Sequence, residues 1–355
     1  MVGIVGYGVY IPYLRIKVEN ILDVWKNTTL GYTENLNIKE RTVLQPDEDV
    51  VTLAIEASHD ALERSGVGRN EIKAVYLGTC TNPYDSRPSS TIIAESLGLP
   101  YEIMCADVQF SGKSGTAAMQ ICMSLVESGM TKYGLAIGAD TINRHIAPGN
   151  IYEYTASAGA AAFVIGREKV AVEIDGTSSY ATDLSDFFRI EGERYIKFTG
   201  FMWEIGLIDH VKKASQNLMK KLQTVPEDYT YAVFQQPYGN TPLIVGKTLG
   251  FREDQIYPGI VSSLIGDCGA ASSLIGLANV LDTAKSGDRI FLASYGFGAG
   301  SDAFSLTVKP SIENIKGKGR TVRDLINRKS YVDYATAAKL EYKYLKEQYP
   351  LGVFF

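Results

Sequence analysis

The sequence predicts an α/β protein built from two similar halves. Helix and strand patterns alternate along most of the 355 residues, which is typical of sheets covered by helices on both faces. This length suits two modest domains or one duplicated unit better than a single small core. We place the halves at residues 1–170 and 171–309 and assign residues 310–355 to a C-terminal extension.

The N-terminal half contains the clearest individual elements. Residues 1–12 are apolar, contain glycines and lack a basic leader, so they predict a buried strand and turn instead of a signal peptide. Residues 47–65 predict a helix, because apolar residues recur at helical spacing before Gly66. Residues 74–78 predict a buried strand. A second helix, over residues 112–127, opens with small residues, which indicates a helix squeezed between two layers.

The second half repeats this order less faithfully. Residues 231–234 match the strand at 74–77, and each follows a short acidic turn. The run 269–276 also echoes 159–166, although small-residue runs recur by chance. A duplicated unit, dividing near residues 167–172, is the favoured interpretation. The extension after residue 309 carries aromatic anchors that predict packing on the surface or on a partner: Tyr331, Tyr334, Tyr342 and Tyr344.

Composition excludes several classes of protein. The chain has 40 acidic and 35 basic residues and no dense basic cluster, so nucleic acid is not an expected partner. No apolar run approaches the roughly 20 residues that span a bilayer, and we expect no membrane partner. Cysteines lack C-x-x-C spacing, which argues against a metal site or a disulfide framework and indicates a reducing cytoplasm. They are Cys80, Cys105, Cys122 and Cys268.

Several stretches, in order along the chain, resemble the HMG-CoA synthase branch of the thiolase superfamily, especially its compact archaeal form. The resemblance implies the thiolase fold, with two pseudo-repeated halves in five αβαβα layers, a reactive residue at the N-terminus of a buried helix, and a homodimer. The stretches are residues 1–8, 45–49, 82–84, 115–117, 125–130, 138–141 and 298–304.

Four further stretches resemble the HMG-CoA synthase-like subunit of the bacterial monoacetylphloroglucinol acetyltransferase. That resemblance implies a thiolase-like partner subunit that bears the acyl-carrying cysteine and a small zinc-ribbon/OB-fold subunit that joins the two. Archaeal HMG-CoA synthase forms a similar three-component complex. The stretches are residues 24–28, 76–87, 105–110 and 294–300.

HMG-CoA synthases use a cysteine that is acylated, a glutamate that removes a methyl proton and a histidine that polarises the second acyl group. Matched to these motifs, the cysteine position is Gly112, the glutamate position is Cys80 and the histidine position is Gln235. A glutamine amide does not titrate. The loop around Cys268 also departs from the family pattern, because relatives carry asparagine at the Asp267 position.

These departures predict no catalytic residue at the family positions, since each lost group is commonly worth about 100-fold or more in rate. The expected function is therefore a catalytically silent subunit of an acetyltransferase complex that C-acetylates a phloroglucinol-type ring. Its expected partners are a second copy of itself, the thiolase-like subunit and the zinc-ribbon/OB-fold subunit. We expect no tightly bound cofactor, although coenzyme A could occupy a shared cleft.

Two alternatives stay open. The chain could be a cryptic acyltransferase or HMG-CoA synthase-like enzyme in which Cys80 or Ser111 carries the acyl group, or a stand-alone acyl-CoA binding protein. Against the first, Cys80 also suits a space-filling role, and Ser111 and Ser114 suit caps or turns at a helix start. Structural roles are expected for the histidines, with His59 solvated; the others are His145 and His210.

Overall fold

The computed structural model describes residues 1–26, 36–199 and 204–344. Asn27, Thr28 and residues 345–355, which belong to stretches used above, lie outside this part of the chain. The first half contains strands β1 to β7 and helices α1 to α4. In chain order they are β1 (Gly3–Tyr10), β2 (Leu14–Lys17), α1 (Val18–Trp25), β3 (Glu40–Val43), α2 (Val50–Ser65), β4 (Ile72–Gly78), α3 (Ser89–Ser96), β5 (Met104–Val108), α4 (Ser114–Glu127), β6 (Tyr133–Thr141) and β7 (Ala158–Gly166).

The second half continues with strands β8 to β13 and helices α5 to α9, and the C-terminal extension adds a short strand between two helices. They are β8 (Val172–Leu184), β9 (Phe187–Phe188), β10 (Lys197–Phe198), α5 (Asp209–Leu222), β11 (Tyr231–Phe234), α6 (Thr241–Leu249), α7 (Glu253–Ile256), α8 (Ser262–Ile265), α9 (Ser272–Leu281), β12 (Arg289–Ala293), β13 (Gly298–Val308), α10 (Val322–Asn327), β14 (Ser330–Tyr331) and α11 (Tyr334–Leu340).

Within the described ranges, nine strands are hydrogen-bonded in the order β11-β12-β13-β8-β1-β7-β6-β4-β5. The two halves of this sheet meet at β1 and β8, where only Gly3 pairs with Glu173 and Ile4 with Val172. Because only two residue pairs connect β1 with β8, we treat the strands on either side of this contact as two separate layers. The N-terminal layer is β5-β4-β6-β7-β1, and the C-terminal layer is β8-β13-β12-β11.

Helices fill the space between and outside these layers. Helix α2 packs on β1, β6 and β7, and α5 packs on β8 and β13. Helix α9 contacts both β7 and β11, while Gln120 of α4 donates hydrogen bonds to Thr177 and Ser179 of β8. Helices α4 and α9 therefore lie between the sheets, and the predicted five-layered thiolase fold is confirmed. The division into units at residues 170 and 309 stays a prediction.

Both predicted helices of the first half form, but each starts later than the pattern indicated. Asp49 is extended and caps α2, accepting a hydrogen bond from the Thr52 amide at 2.9 Å, so the acids at 47–49 precede the helix. Gly66 ends it in the left-handed conformation. In the second case a 3₁₀ turn, Ser111–Lys113, precedes α4. A 3₁₀ turn, which has fewer residues per turn than an α-helix, thus occupies the positions where the helix was predicted to start.

The C-terminal extension packs against the N-terminal half. Strand β14 pairs with β2, and Glu341 is fully buried against Arg41. Lys343 reaches Glu153 at 2.7 Å and Glu341 at 3.0 Å. Charges buried this deeply are tolerated because each has opposite partners. Of the predicted aromatic anchors, Tyr334 donates to Glu153, whereas Tyr342 is about half exposed.

No helix in the described residues is both long enough and apolar enough to cross a bilayer.

Candidate active site

A pocket lies where the two halves meet, and the three family positions converge on it. Its inner part is a cavity of about 30 Å³ lined by Cys80, Gly112 and Gln235, together with Ser111 and Asp267. This volume accommodates a group about the size of one or two waters. We call Cys80, Asp140 and Asp267 the thiol side of the pocket, and Gly112 with Gln235 the glycine side.

The thiol side begins at the carboxyl ends of two neighbouring parallel strands. Cys80 follows β4, and Asp140 lies near the end of β6. Adjacent parallel strands bring the residues at their ends together. The Cys80 thiol donates a hydrogen bond to Asp140 Oδ2, with 3.4 Å between sulfur and oxygen.

Asp140 is fully buried and holds the loop after β4 in place. Its Oδ1 accepts hydrogen bonds from the Thr79 and Thr81 hydroxyls and the Cys80 amide at 2.7–2.8 Å. Its Oδ2 accepts the Ala270 amide of the other half at 2.8 Å. Burial raises the pKa of Asp140, while these donors favour the ionised form. The carboxylate thus ties the two halves together at the site.

The thiol itself is protonated at neutral pH. Desolvation, then the negative charge of Asp140, raises the pKa of Cys80 well above its usual value, and Asp267 adds to this. Nearby Arg189 acts weakly in the opposite direction. Sulfur at this position gains nucleophilicity only when a base takes its proton, and the one carboxylate in hydrogen-bond contact with it is Asp140 among the described residues.

Asp267 is the second acid of the thiol side. It is only 9% exposed, and its Oδ1 accepts the Gly269 amide at 3.0 Å. Burial raises the pKa of Asp267 to about 7, against the lowering effect of the hydrogen bonds from Gly269 and Ser272. A carboxyl group that titrates near neutrality is suited to accept and return a proton.

The glycine side is closed to a side chain at residue 112. A Cβ on Gly112 would lie 2.5 Å from the Tyr295 carbonyl oxygen and 2.8 Å from Gln235 Nε2. Backbone cannot withdraw from such a contact as easily as the end of a flexible side chain. The position predicted for the family's sulfur is therefore filled by its neighbours.

Gln235 follows β11 and is 4% exposed. Its Nε2 donates to the Gly269 carbonyl at 2.9 Å, which fixes the orientation of the amide. Its Oε1 is buried without a hydrogen-bond partner.

The two serine candidates differ. Ser114 is fully buried, donates to the Ser111 carbonyl at 2.7 Å and accepts the Phe110 amide at 2.6 Å, which is the turn role that the sequence predicted. Ser111 lines the pocket and adopts a left-handed conformation with φ of 46°. No carboxylate or imidazole among the residues described bonds to its hydroxyl, so a base for Ser111 is not in place.

The histidines occupy structural positions in the described chain. His59 is exposed on α2, as predicted. His210 is buried, with Nε2 paired to Thr182 Oγ1 at 2.8 Å and Nδ1 to the Gly206 carbonyl at 2.7 Å. His145 is half-buried beside Ile146, which does line the pocket, and burial lowers its pKa to about 4.

An aromatic wall, formed by Tyr152, Phe187, Tyr295 and Phe297, lines the inner cavity. Phe187 stacks on Phe297 with ring centroids 4.6 Å apart, and Tyr152 meets Phe187 edge to face at 5.3 Å. Tyr295 is anchored by donating to buried Asp186 at 2.8 Å. These ring contacts and the hydrogen bond of Tyr295 fix the orientation of the aromatic side chains.

Two wider pockets, of about 330 and 400 Å³, adjoin the inner cavity and share Cys80 with it. Arg189 lines both, and its guanidinium donates to the Glu193 carbonyl at 3.2 Å. No carboxylate forms an ion pair with Arg189 among the residues that the structure describes. The approach to Cys80 therefore offers a positive charge to an anionic ligand group.

Sequence motifs singled out Cys80, Gly112 and Gln235, and these three residues line one pocket. The sequence did not point to Asp140, nor to a titratable role for Asp267. The available signal was an acid at the end of a strand parallel to the one before Cys80.

Comparison with known proteins identifies the family. Residues 37–165 match the family model of the thiolase N-terminal domain. The chain is 46% identical to hydroxymethylglutaryl-CoA synthase of Methanocaldococcus jannaschii, covering 97% of this chain and 99% of that protein. It is 47% identical to the enzyme of the same name from Methanosarcina barkeri, covering 95% and 97%.

Solved structures agree on the fold. MvaS in complex with 3-hydroxy-3-methylglutaryl coenzyme A superposes with a TM-score of 0.87 at 21% identity, covering 96% of this chain and 91% of that one. The 3-oxoacyl-[acyl-carrier-protein] synthase III of Aquifex aeolicus superposes with a TM-score of 0.80 at 20% identity, covering 86% and 100%.

These findings overturn the predicted function. The expectation of a silent, non-catalytic subunit that C-acetylates a phloroglucinol-type ring is wrong, because relatives matching nearly the whole chain are named as synthases. The physical error was to judge the pocket by three positions, when Asp140 and Asp267 supply titratable groups beside Cys80. The chain belongs to the hydroxymethylglutaryl-CoA synthase family.

Proposed function

We propose that this protein condenses acyl-CoA thioesters in a reaction of the hydroxymethylglutaryl-CoA synthase type, with Cys80 carrying the acyl group. The observation that supports this most directly is the 3.4 Å contact between the Cys80 thiol and Asp140, in a pocket that also holds Asp267. The relatives' name, at 46% identity over 97% of the chain, supports the class of reaction.

In the first step, Cys80 Sγ attacks the thioester carbonyl of acetyl-CoA while its proton passes to Asp140. The bond between the acetyl carbon and the sulfur of CoA breaks, and the proton leaves Asp140 for the CoA thiolate. Acetyl-Cys80 and free CoA result. Burial raises the pKa of Asp140, which makes this carboxylate a stronger base toward the thiol than an exposed aspartate would be.

In the second step, the Asp267 carboxylate removes a methyl proton from acetyl-Cys80. The resulting carbon nucleophile attacks the keto carbon of a 3-oxoacyl thioester, and Asp267 returns the proton to the new alkoxide. Water then cleaves the bond to Cys80 and leaves a carboxylic acid and a free thiol. A pKa of about 7 lets Asp267 serve in both directions near neutral pH.

Gly112 takes no part in this scheme, and Gln235 cannot move protons. Since an acyl-accepting thiol at residue 112 and a titrating group at residue 235 are both missing, we expect slower turnover than in relatives that carry them. The Ser111 hydroxyl is the weaker candidate for the acyl carrier, because no base bonds to it in the described residues.

The wider pockets are suited to the arm of coenzyme A as a substrate. Both include Cys80 and Arg189 in their lining, and Arg189 would meet an anionic part of the ligand.

The test uses the purified chain with acetyl-CoA alone and with acetyl-CoA plus acetoacetyl-CoA. We expect release of CoA, a mass increase of one acetyl group in the intact protein, and location of that group on Cys80 by peptide mass spectrometry. Cys105→Ala is the matched control, because Cys105 lies on β5 and does not line the pocket. Absence of both CoA release and adduct, or an adduct on Ser111, would contradict the assignment.

We also propose a homodimer. In the part of the chain described, β5 is the last strand of the sheet, and all its residues are half-buried. An open edge of this kind can pair with a second copy. Light scattering should give the mass of two chains, and a monomer at micromolar concentration would refute this. The thiolase-like and zinc-ribbon/OB-fold partners stay predictions.

A further inference from the structure

The inner cavity has a neck and a closed end. The neck consists of the residues that also line the adjoining pocket of about 330 Å³: Cys80, Ser111, Phe187, Ile196 and Phe297. Other residues line the inner cavity and neither of the wider pockets, and four of them are apolar or aromatic and at most 9% exposed: Ile142, Ile146, Tyr152 and Ala156. A ligand group that passes the neck from the wider pocket therefore meets a closed end.

This closed end is an apolar cluster in its own right. Its four buried residues pack against one another, and the partly buried Phe198 and Tyr238 pack against them from the side. An alkyl group is suited to such a place, because each methylene that leaves water for an apolar enclosure stabilises binding.

Tyr152 has the largest side chain of the four, and its ring is held in position. It meets Phe187 and Phe198 edge to face, each at 5.3 Å between ring centroids, and stacks on Tyr238 at 6.1 Å. Its backbone amide donates to Asn150 Oδ1 at 2.9 Å. A ring packed by three other rings cannot turn aside to make room for a ligand without disturbing them.

We propose that Tyr152 sets the length of the acyl group that the pocket admits, because its ring fills the end of the cavity that a longer alkyl chain would need. The space that remains, about 30 Å³, suits an acyl group of roughly two to four carbons. This inference rests on the proposed function for the class of ligand, and it adds the residue that limits the size of that ligand.

The experiment is calorimetric binding of two thioethers, S-ethyl-CoA and S-hexyl-CoA, to the purified chain. A thioether has no carbonyl carbon for Cys80 to attack, so binding is measured without reaction. We expect wild type to bind S-hexyl-CoA no more tightly than S-ethyl-CoA, because the additional methylenes find no space beside Tyr152.

Tyr152→Ala should bind S-hexyl-CoA at least about tenfold more tightly than wild type and S-ethyl-CoA within about twofold, since each newly buried methylene is worth about fourfold in affinity. Tyr152→Leu keeps more of the apolar packing and should gain about threefold for the hexyl ligand, which guards against a folding defect in the alanine variant. Urea denaturation of each variant shows that it is folded.

Two controls separate ring size from other effects. Tyr152→Phe keeps the ring and should bind both thioethers as wild type does. Tyr257→Ala removes a tyrosine that also lies in a 3₁₀ turn but is 55% exposed, and it should change neither affinity.

Three results would overturn the inference. One is wild type binding S-hexyl-CoA about tenfold more tightly than S-ethyl-CoA, since that would mean that the cavity already admits the longer chain. Another is the absence of a gain for S-hexyl-CoA in folded Tyr152→Ala and Tyr152→Leu alike. The third is an equal gain in Tyr152→Phe.

These outcomes separate from those of the proposed function. A gain for S-hexyl-CoA in Tyr152→Ala, with neither CoA release nor an acyl adduct in wild type, would refute the condensation and support the inference. Turnover by wild type without that gain would do the reverse. Failure of both thioethers to bind would overturn the inference together with the assignment of the wider pockets to coenzyme A.

Discussion

The two sides of the inner pocket differ in packing and in chemistry. On the glycine side, Gly112 and Gln235 are packed so closely that a Cβ at residue 112 would approach the Tyr295 carbonyl to 2.5 Å. On the thiol side, the half-buried Cys80 lies beside two buried carboxyl groups, those of Asp140 and Asp267. The glycine side has no space for a further side chain and no group that titrates. The thiol side contains several titratable groups, and hydrogen bonds hold them in position.

This difference teaches that a family's reaction site can lose its expected nucleophile without losing all its reactive groups. Closing the glycine side removes space for a sulfur at residue 112. The thiol side keeps a sulfur within reach of a carboxylate and of the same cavity. Four changes would break or sharpen the contrast.

The largest effect is expected at Asp140. Asp140→Ala should lower the free energy of unfolding by about 3 to 5 kcal/mol, because buried donors of Thr79, Thr81, Cys80 and Ala270 lose their acceptor. Urea denaturation measures it. Asp254→Ala, whose carboxylate is exposed beside Arg252, should change stability by less than about 0.5 kcal/mol. Similar small losses in both variants would show that Asp140 does not hold the thiol side.

The second largest effect is expected from removing the Cys80 thiol. Cys80→Ala should abolish the acyl adduct and reduce CoA release at least about 100-fold, because the variant has no group to carry the acyl chain. Stopped assays of free CoA with wild type, Cys80→Ala and Cys105→Ala check this. If Cys80→Ala kept wild-type turnover, the reactive side of the pocket would have been misassigned.

A smaller effect is expected on the glycine side. Gly112→Ala should lower the free energy of unfolding by about 1 to 3 kcal/mol through overpacking against Tyr295 and Gln235. Gly68→Ala is the matched control, since a Cβ there meets Glu71 Oε2 at an ordinary 3.6 Å. An unchanged unfolding midpoint for Gly112→Ala would mean that this side can open to admit a side chain.

The smallest effect concerns pH. If Asp267 must be ionised to remove the methyl proton, the condensation rate should rise about tenfold per pH unit below pH 7 and level off above it. Asp267→Asn should remove this rise, which a rate profile from pH 5 to 9 would show. A wild-type profile that is flat across pH 7 would exclude Asp267 as the base.

Whereas the condensation rate should rise with pH, the contribution of Asp267 to the free energy of unfolding should fall. The pKa of Asp267 is higher in the folded than in the unfolded protein, so the folded state binds more protons between about pH 4 and pH 7. The contribution of Asp267 therefore becomes less favourable as pH rises through that window and is constant above it. Wild type should lose stability relative to Asp267→Asn between pH 4 and pH 7, and parallel curves would contradict this.

Local patterns predicted much of the scaffold. The helix before Gly66, the strand before Cys80 and the strand before Gln235 appear where their apolar spacing placed them, because these signals act within a few residues of chain. The exact start of α2 was missed, since Asp49 caps the helix from outside while its charge suits the first turn.

By itself the sequence determined the fold class and several of its helices and strands, and it predicted which residues stand at the three family positions, because these inferences depend on local spacing and on motifs. Only the tertiary structure decided that Asp140 bonds to the Cys80 thiol, that Asp267 is buried deeply enough to titrate near neutrality, and that Gly112 has no room for a side chain. These properties arise from contacts between residues far apart in the chain. Such contacts determine how deeply a group is buried and how close its neighbours lie, and these in turn set pKa values and the room for a side chain. No single stretch of sequence contains this information.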